Sequence, residues 1–200
     1  MPSYKLTYFD IPGIVQHIRY ILSYANQPFE DVRLNPADWP KLKEKFPYGK
    51  LPTFEIDGKI FNQSNAIARY LAKQYGLNGK NDLETLKVEC LTDTLVDLRN
   101  GLSAIVYEKD EAKKEELKKN LVENLFPTYL PKFEEIAAKS TSGWLVGSQI
   151  TWADLFYAST LAIFEEKFPG LLKPYPALTA LVAKVENIPS IKAYLEKHKK

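Results

Sequence analysis

Apolar and polar residues alternate along Tyr4-Lys5-Leu6-Thr7-Tyr8-Phe9 and again along Phe29-Glu30-Asp31-Val32-Arg33-Leu34. A period of two places alternate side chains on one face, so both runs predict strands. A third run, Leu51-Pro52-Thr53-Phe54-Glu55-Ile56, alternates behind a proline, which predicts a strand entered through a constrained turn. Asp57-Gly58 then supplies hairpin-turn chemistry, and Ile60-Phe61 gives a short return strand. Between the first two strands Pro12-Gly13 marks a turn, and residues 14–26 carry an amphipathic helix with Ile14, Ile18, Ile21 and Leu22 on one side. A second helix is predicted over residues 66–74. Strand, helix, strand, hairpin and helix in that order make a small α/β sheet domain.

After Gly76-Leu77-Asn78-Gly79 the pattern turns helical throughout. Asn81 followed by Glu84 resembles a helix-start box, and apolar residues recur at Leu83, Leu86, Cys90, Leu91, Leu95, Leu98, Leu102 and Ile105. The pattern continues through Leu117, Leu121, Val122, Leu125, Phe133 and Ile136, where Pro127 and Pro131 are expected to kink or break it. Thr151-Trp152-Ala153-Asp154 is a second box, before an unusually apolar segment through Phe164 that reads as a buried central helix. Pro176 and Pro189 are placed to open the last two helices. The expectation is an α/β domain over residues 1–79 and an all-helical domain over 80–200.

Composition narrows the function classes. Hydrophobic residues make up 45% of the 200, enough for a core, and the formal charge of +2 argues against nucleic acid or an anionic membrane as partner. The lysine clusters at 113–114, 118–119 and 199–200 read as solvated helix faces. The single cysteine, Cys90, excludes an intrachain disulfide framework and is expected to be a small core residue. Nothing resembles a signal peptide or a membrane span, so a cytoplasmic setting is the expectation.

Gln63 and Ser64 fall where the return strand ends and a helix begins. Helix N-termini present unpaired N–H groups and a partial positive charge, so an amide and a hydroxyl there suit a carboxylate. The backbone just before Pro52 is held extended and can offer its N–H and C=O to a peptide-like ligand. Together these features suggest a site for a small, peptide-like anion.

An α/β domain with Tyr8, Leu51-Pro52 and Gln63-Ser64, then a helical domain with Thr151-Trp152-Ala153-Asp154, resembles the cytosolic glutathione transferases over essentially the whole chain. The opening residues 2–9, with Asp38-Trp39-Pro40, Gly49-Lys50-Leu51-Pro52 and Ala66-Ile67-Ala68-Arg69-Tyr70-Leu71, look like the sigma class, which includes invertebrate enzymes, haematopoietic prostaglandin D synthase and the S-crystallins. The resemblance implies a thioredoxin-like N-terminal domain that binds glutathione and an all-helical C-terminal domain. Tyr8 would be the catalytic tyrosine, its neutral hydroxyl donating a hydrogen bond to the glutathione thiolate. Gln63 and Ser64 would hold the γ-glutamyl carboxylate, and Leu51 would pair its backbone with the cysteinyl unit beside a cis Pro52. Trp39 and Lys43, with Lys50 nearby, would face the glycyl carboxylate. Asp97 would reach the glutathione amine of the partner subunit, which makes the site depend on a homodimer. Arg69 and Tyr48 are weaker candidates for that interface.

Several positions depart from the class. Ile14 stands where the prostaglandin synthase-like members carry an arginine that polarises the tyrosine, leaving Arg99, close to Asp97 in sequence, as a substitute to consider. His17 reads as an ordinary helix residue. Asp93 and Asp97 remain from the metal site of those synthases, but Val96 replaces a further acidic residue, so no metal is expected to be required. Ala104 replaces their tryptophan. Phe9, Ile14, Leu102, Ile105 and Tyr107 are the expected lining for a hydrophobic electrophile. The leading reading is conjugation of glutathione to such electrophiles, including lipid peroxidation products. Prostaglandin D synthase-type isomerisation, or a catalytically weak S-crystallin-like role, is the alternative.

Overall fold

A computed structural model describes residues 2–199; Met1 and Lys200, the latter part of the last lysine cluster, lie outside the described residues. The residues group into two compact units. One holds the chain up to Leu77 together with the residues from Glu186 onward, and the other is Asn78–Val185.

In the first unit β1 (Tyr4–Phe9) leads through a 3-10 turn at Gly13–Val15 into α1 (Gln16–Tyr24), then to β2 (Glu30–Leu34). The predicted helix over 14–26 is therefore shorter, because its first turn is wound as 3-10. A segment of short turns carries α2 (Trp39–Leu42) before β3 (Thr53–Ile56), β4 (Lys59–Asn62) and α3 (Ser64–Gln74). The sheet order is β2-β1-β3-β4, with β2 parallel to β1 and both remaining pairs antiparallel. A parallel pair needs a crossover, and α1 supplies it. Leu6 and Phe54, opposite each other on β1 and β3, are fully buried with Ile18, Ile21 and Leu22 of α1 and Leu71 of α3.

The second unit begins with α4 (Asp82–Tyr107), capped by the Asn81 side chain, which accepts from the Glu84 N–H at 3.0 Å. The expected reciprocal bond is displaced by one residue: Glu84 accepts from the Lys80 N–H at 2.7 Å. After α5 (Glu111–Asn120) a π-helical turn at Leu121–Leu125 leads into α6 (Phe126–Ala138). Pro127 therefore sits in the first turn of α6, where its missing N–H costs least, while Pro131 is carried inside the helix. α7 (Trp152–Lys167) is the buried central helix, with Trp152, Leu155, Phe156, Tyr157, Leu161 and Phe164 all fully buried. α8 (Pro176–Glu186) and α9 (Pro189–Lys197) both open on proline, as predicted.

Two sequence expectations are corrected. Cys90 is exposed, as are Leu83 and Leu86 at 60% and 58%, because the apolar pattern of α4 runs round more of the helix than its buried face, Val88, Leu95, Leu98 and Leu102. The last residues, read from sequence as part of the helical domain, group with the first unit, where α9 packs on α1.

One contact of that last segment is pH-sensitive. The Tyr20 hydroxyl donates to Glu186 at 3.0 Å, and burial pushes the Glu186 carboxyl above its ordinary value, partly opposed by that hydrogen bond. The folded state thus holds this proton more tightly than the unfolded state, so the group's contribution to stability falls as pH rises from the ordinary to the raised value. Glu186→Gln is expected to unfold at a higher urea midpoint than the parent at pH 7 and at the same midpoint below about pH 4. A glutamine variant no more stable than the parent at neutral pH would contradict this.

Candidate functional site

The strand register brings three separate parts of the chain to one end of the sheet. Thr7 pairs with Thr53, and Thr53 pairs with Asn62. One position further along, Tyr8, Pro52 and Gln63 therefore follow one another across β1, β3 and β4. With strands about 4.8 Å apart, this row spans about 10 Å, the length of some three extended residues.

Tyr8 is 3% exposed and stands edge-on to Phe9, with ring centroids 5.4 Å apart. The Leu51–Pro52 peptide is cis. Gln63 occupies the cap position of α3 with φ 72° and ψ 100°, a left-handed backbone that a glutamine adopts only at a cost. Its carbonyl accepts from the Ile67 N–H at 3.0 Å, and its exposed side chain makes no capping bond. Ser64 is buried in the first turn, so α3 begins two residues before the predicted 66. An amide and a hydroxyl thus flank the free N–H groups of an eleven-residue helix.

Trp39 opens α2 after a 3-10 turn capped by Asn35, whose side chain accepts from the Ala37 N–H at 3.0 Å. Its ring lies 5.5 Å from Phe9, nearly perpendicular, and 5.5 Å from Phe46. Tyr8, Phe9, Trp39 and Phe46 form one continuous aromatic row, which ties the α2 segment to the end of β1. Lys43 and Lys50 are exposed. The Lys43 stem lies over Gly49, where a Cβ would come within 3.0 Å of Lys43 Cε and where φ is +56°. Glycine suits the left-handed backbone there, and a larger residue would also push the Lys43 stem aside by a few tenths of an ångström.

Gly13 has an equivalent role that the sequence reading missed. Its φ is +49°, and a Cβ would stand 2.7 Å from Tyr8 Cε1 and 3.0 Å from the Tyr8 hydroxyl oxygen. The Pro12-Gly13 pair gave the turn; only the fold puts its backbone against the phenol. Ile14 is half-buried in the same turn, and His17 is buried on α1.

The remaining candidates lie on α4. Asp97 is exposed, one turn beyond exposed Asp93. Leu102 (buried) and Ile105 (half-buried) share a helix face, but Tyr107, five positions past Leu102, points elsewhere and is 72% exposed. The Arg99 guanidinium lies over the Phe156 ring at 4.9 Å, engaged with the helical core of its own unit. Among the described residues no three His, Cys, Asp or Glu side chains gather as a metal site, and no helix is long and apolar enough to cross a membrane.

Comparison with known proteins gives the family. Residues 4–73 match the family model of the glutathione S-transferase N-terminal domain, and residues 96–198 that of the C-terminal domain. A glutathione S-transferase of Anopheles gambiae is 39% identical over 198 residues, covering 98% of this chain and 97% of that protein. S-crystallin SL11 of Nototodarus sloanii is 40% identical over 200 residues, covering 98% of this chain and 97% of that one. The solved structure of prostaglandin synthase D of Nilaparvata lugens superposes with a TM-score of 0.93 at 40% identity and covers 98% of both chains. The two family models and the full-length identity agree, and the chain belongs to the glutathione S-transferase family.

Proposed function

We propose that this chain is a cytoplasmic, homodimeric glutathione transferase that conjugates the glutathione thiolate to hydrophobic electrophiles and needs no metal. The observation that carries the reading is the row of Tyr8, Leu51-Pro52 and Gln63-Ser64 at one end of the sheet. A tripeptide with a carboxylate at each end and a thiol in the middle matches that row in length and in chemistry. Ser64 and Gln63 at the start of α3 receive the γ-glutamyl carboxylate, and the Leu51 backbone pairs with the cysteinyl unit. Trp39, Lys43 and Lys50 take the glycyl carboxylate. Tyr8 donates its O–H to the sulfur, which lets the thiol release its proton to water below the usual value of about 8.5. The thiolate then attacks: a sulfur–carbon bond forms, and a leaving group departs as an anion or, on an unsaturated carbonyl, water protonates the adjacent carbon. Phe9, Ile14, Leu102 and Ile105 are assigned to the electrophile; Tyr107, on another face of α4 and largely exposed, is left out of that lining.

The homodimer has support from apolar surface. Phe61 and Tyr70, 47% and 42% exposed, line a groove of about 350 Å³ beside β4 and α3, and α4 exposes Leu83 and Leu86. Apolar side chains gathered along one groove, rather than scattered singly, mark an interaction surface. Asp97 is assigned to the glutathione amine of the partner subunit.

Calorimetry with glutathione, combined with turnover of a chloronitrobenzene acceptor, tests the whole reading. The parent is expected to sediment at twice 22.9 kDa, to bind glutathione and to turn the acceptor over. Ser64→Ala should weaken binding about tenfold or more, the cost of one hydrogen bond to a charged group. Binding without turnover would move the reading to an S-crystallin-like role, and turnover of a prostaglandin endoperoxide alone to the isomerase. Absence of binding would overturn all three.

A further inference from the structure

Arg19 is the one fully buried arginine of α1, at 0% exposure in the middle of the apolar run Ile18-Arg19-Tyr20-Ile21-Leu22. A buried guanidinium needs its donors satisfied, and here they divide between a carboxylate and a turn. Nε and Nη2 donate to Asp31 Oδ1 of β2, both at 3.2 Å. Nη1 donates to the Ile11 carbonyl at 2.8 Å, with the Pro12 carbonyl and Gln16 Oε1 each 3.5 Å away. Asp31 is shared: its Oδ2 accepts from Arg33 Nε at 2.9 Å, and Arg33 Nη1 donates to Asp10 Oδ1 at 3.1 Å. Two arginines bridged by one carboxylate therefore hold three successive residues of the turn, Asp10 by its side chain and Ile11 and Pro12 by their carbonyls.

The next residue is Gly13, whose backbone lies against the Tyr8 ring and hydroxyl closely enough to exclude a Cβ. We infer that Arg19 is a positioning residue for the transferase reaction: by holding the Ile11 and Pro12 carbonyls it keeps the Gly13 backbone against the Tyr8 phenol and fixes where the hydroxyl points. The inference rests on the reading of Tyr8 as hydrogen-bond donor to the thiolate. It also assigns a task to a buried ion pair, a kind of contact that well-packed apolar side chains in place of both partners often replace without loss of stability. A lysine cannot serve both sides, because a single ammonium lacks the planar fork that spans Asp31 and the turn. At Ile14, where an arginine is absent, orientation rather than an added charge prepares the tyrosine.

The pH profile of kcat/KM for glutathione conjugation to a chloronitrobenzene acceptor tests this, with Arg19→Lys, Gly13→Ala and Tyr8→Phe compared to the parent. A hydroxyl that is present but misdirected stabilises the thiolate less. Arg19→Lys and Gly13→Ala are each expected to move the acid limb up by about one pH unit, a loss of about tenfold at pH 6.5 that closes by about pH 9. KM for glutathione should stay within about threefold, since the carboxylate and backbone contacts are untouched. A variant that only loosened the fold would lower activity at every pH and leave the limb in place. Gly13→Ala changes the contact without touching the charge network, and Asn26, Tyr48, Asp57 and Gln63 already hold side chains at positive φ, so it decides the matter if Arg19→Lys does not fold. Folded variants with the parental acid limb overturn the positioning role while a displaced limb in Tyr8→Phe leaves the reading of Tyr8 standing. A parental limb in Tyr8→Phe overturns that reading itself, and the positioning role with it.

Discussion

Tyr8→Phe is expected to lower kcat/KM for conjugation about 10- to 100-fold near pH 6.5, the worth of one hydrogen bond to a charged sulfur. The sign of its pH dependence follows from the same bond. The hydroxyl favours the thiolate over the thiol, so its removal returns the bound thiol towards the free value of about 8.5. Below that value the variant lacks thiolate and is slow; above it both proteins hold the anion, and the gap narrows. Phenylalanine keeps the ring against Phe9 and under Gly13, so stability and glutathione binding should change little. A variant equal to the parent at pH 6.5 would remove Tyr8 from the mechanism, and one equally slow at all pH values would remove the thiolate from its role.

Asp154→Ala should destabilise the protein by about 3–5 kcal/mol, a large share of a typical folding free energy. Asp154 is fully buried and accepts three hydrogen bonds: from Leu145 N–H at 2.7 Å, Thr151 N–H at 2.7 Å and the Thr151 hydroxyl at 2.9 Å. Burial pushes its carboxyl up, and those three bonds pull it back. Alanine leaves two buried N–H groups without an acceptor, each worth about 1–3 kcal/mol, and removes the reciprocal cap of α7. Asparagine is no remedy, since its amide group presents a donor where a second acceptor is needed. Urea unfolding gives the measurement; a loss below about 1 kcal/mol would mean that the loop at 140–150 finds other partners.

What was legible in the sequence was local. The run Tyr4–Phe9 became a strand with its predicted bounds, and Thr151 with Asp154 capped its helix, because each signal lies within a few residues. The same holds for the prolines that open α8 and α9. Periodicity failed where it had to separate two kinds of apolar face. Leu83, Leu86 and Cys90 belong to the helical pattern of α4 as fully as Leu95 does, yet only Leu95 is buried in the single chain. The charge network of Arg19, Asp31 and Arg33 was illegible for another reason: it ties α1 to β2, and only the packing of the helix on the sheet makes Arg19 a neighbour of Asp31, twelve residues away. One signal was present, a charged residue inside the apolar stretch 18–22 of an amphipathic helix. Gly13 could be read as a turn glycine, but its approach to Tyr8 depends on how that turn folds back over β1.

The grouping of the residues from Glu186 onward with the sheet unit sets an order of events during synthesis. The sheet and α1 leave the ribosome first, at about 5–20 residues per second, but they wait for the whole helical unit before α9 arrives. Until then Tyr20 has no Glu186, and Arg33 has no Tyr194 hydroxyl at 2.8 Å. A nascent chain stalled short of residue 186 thus carries every strand and the tyrosine, with the face of α1 that α9 will cover still open to water.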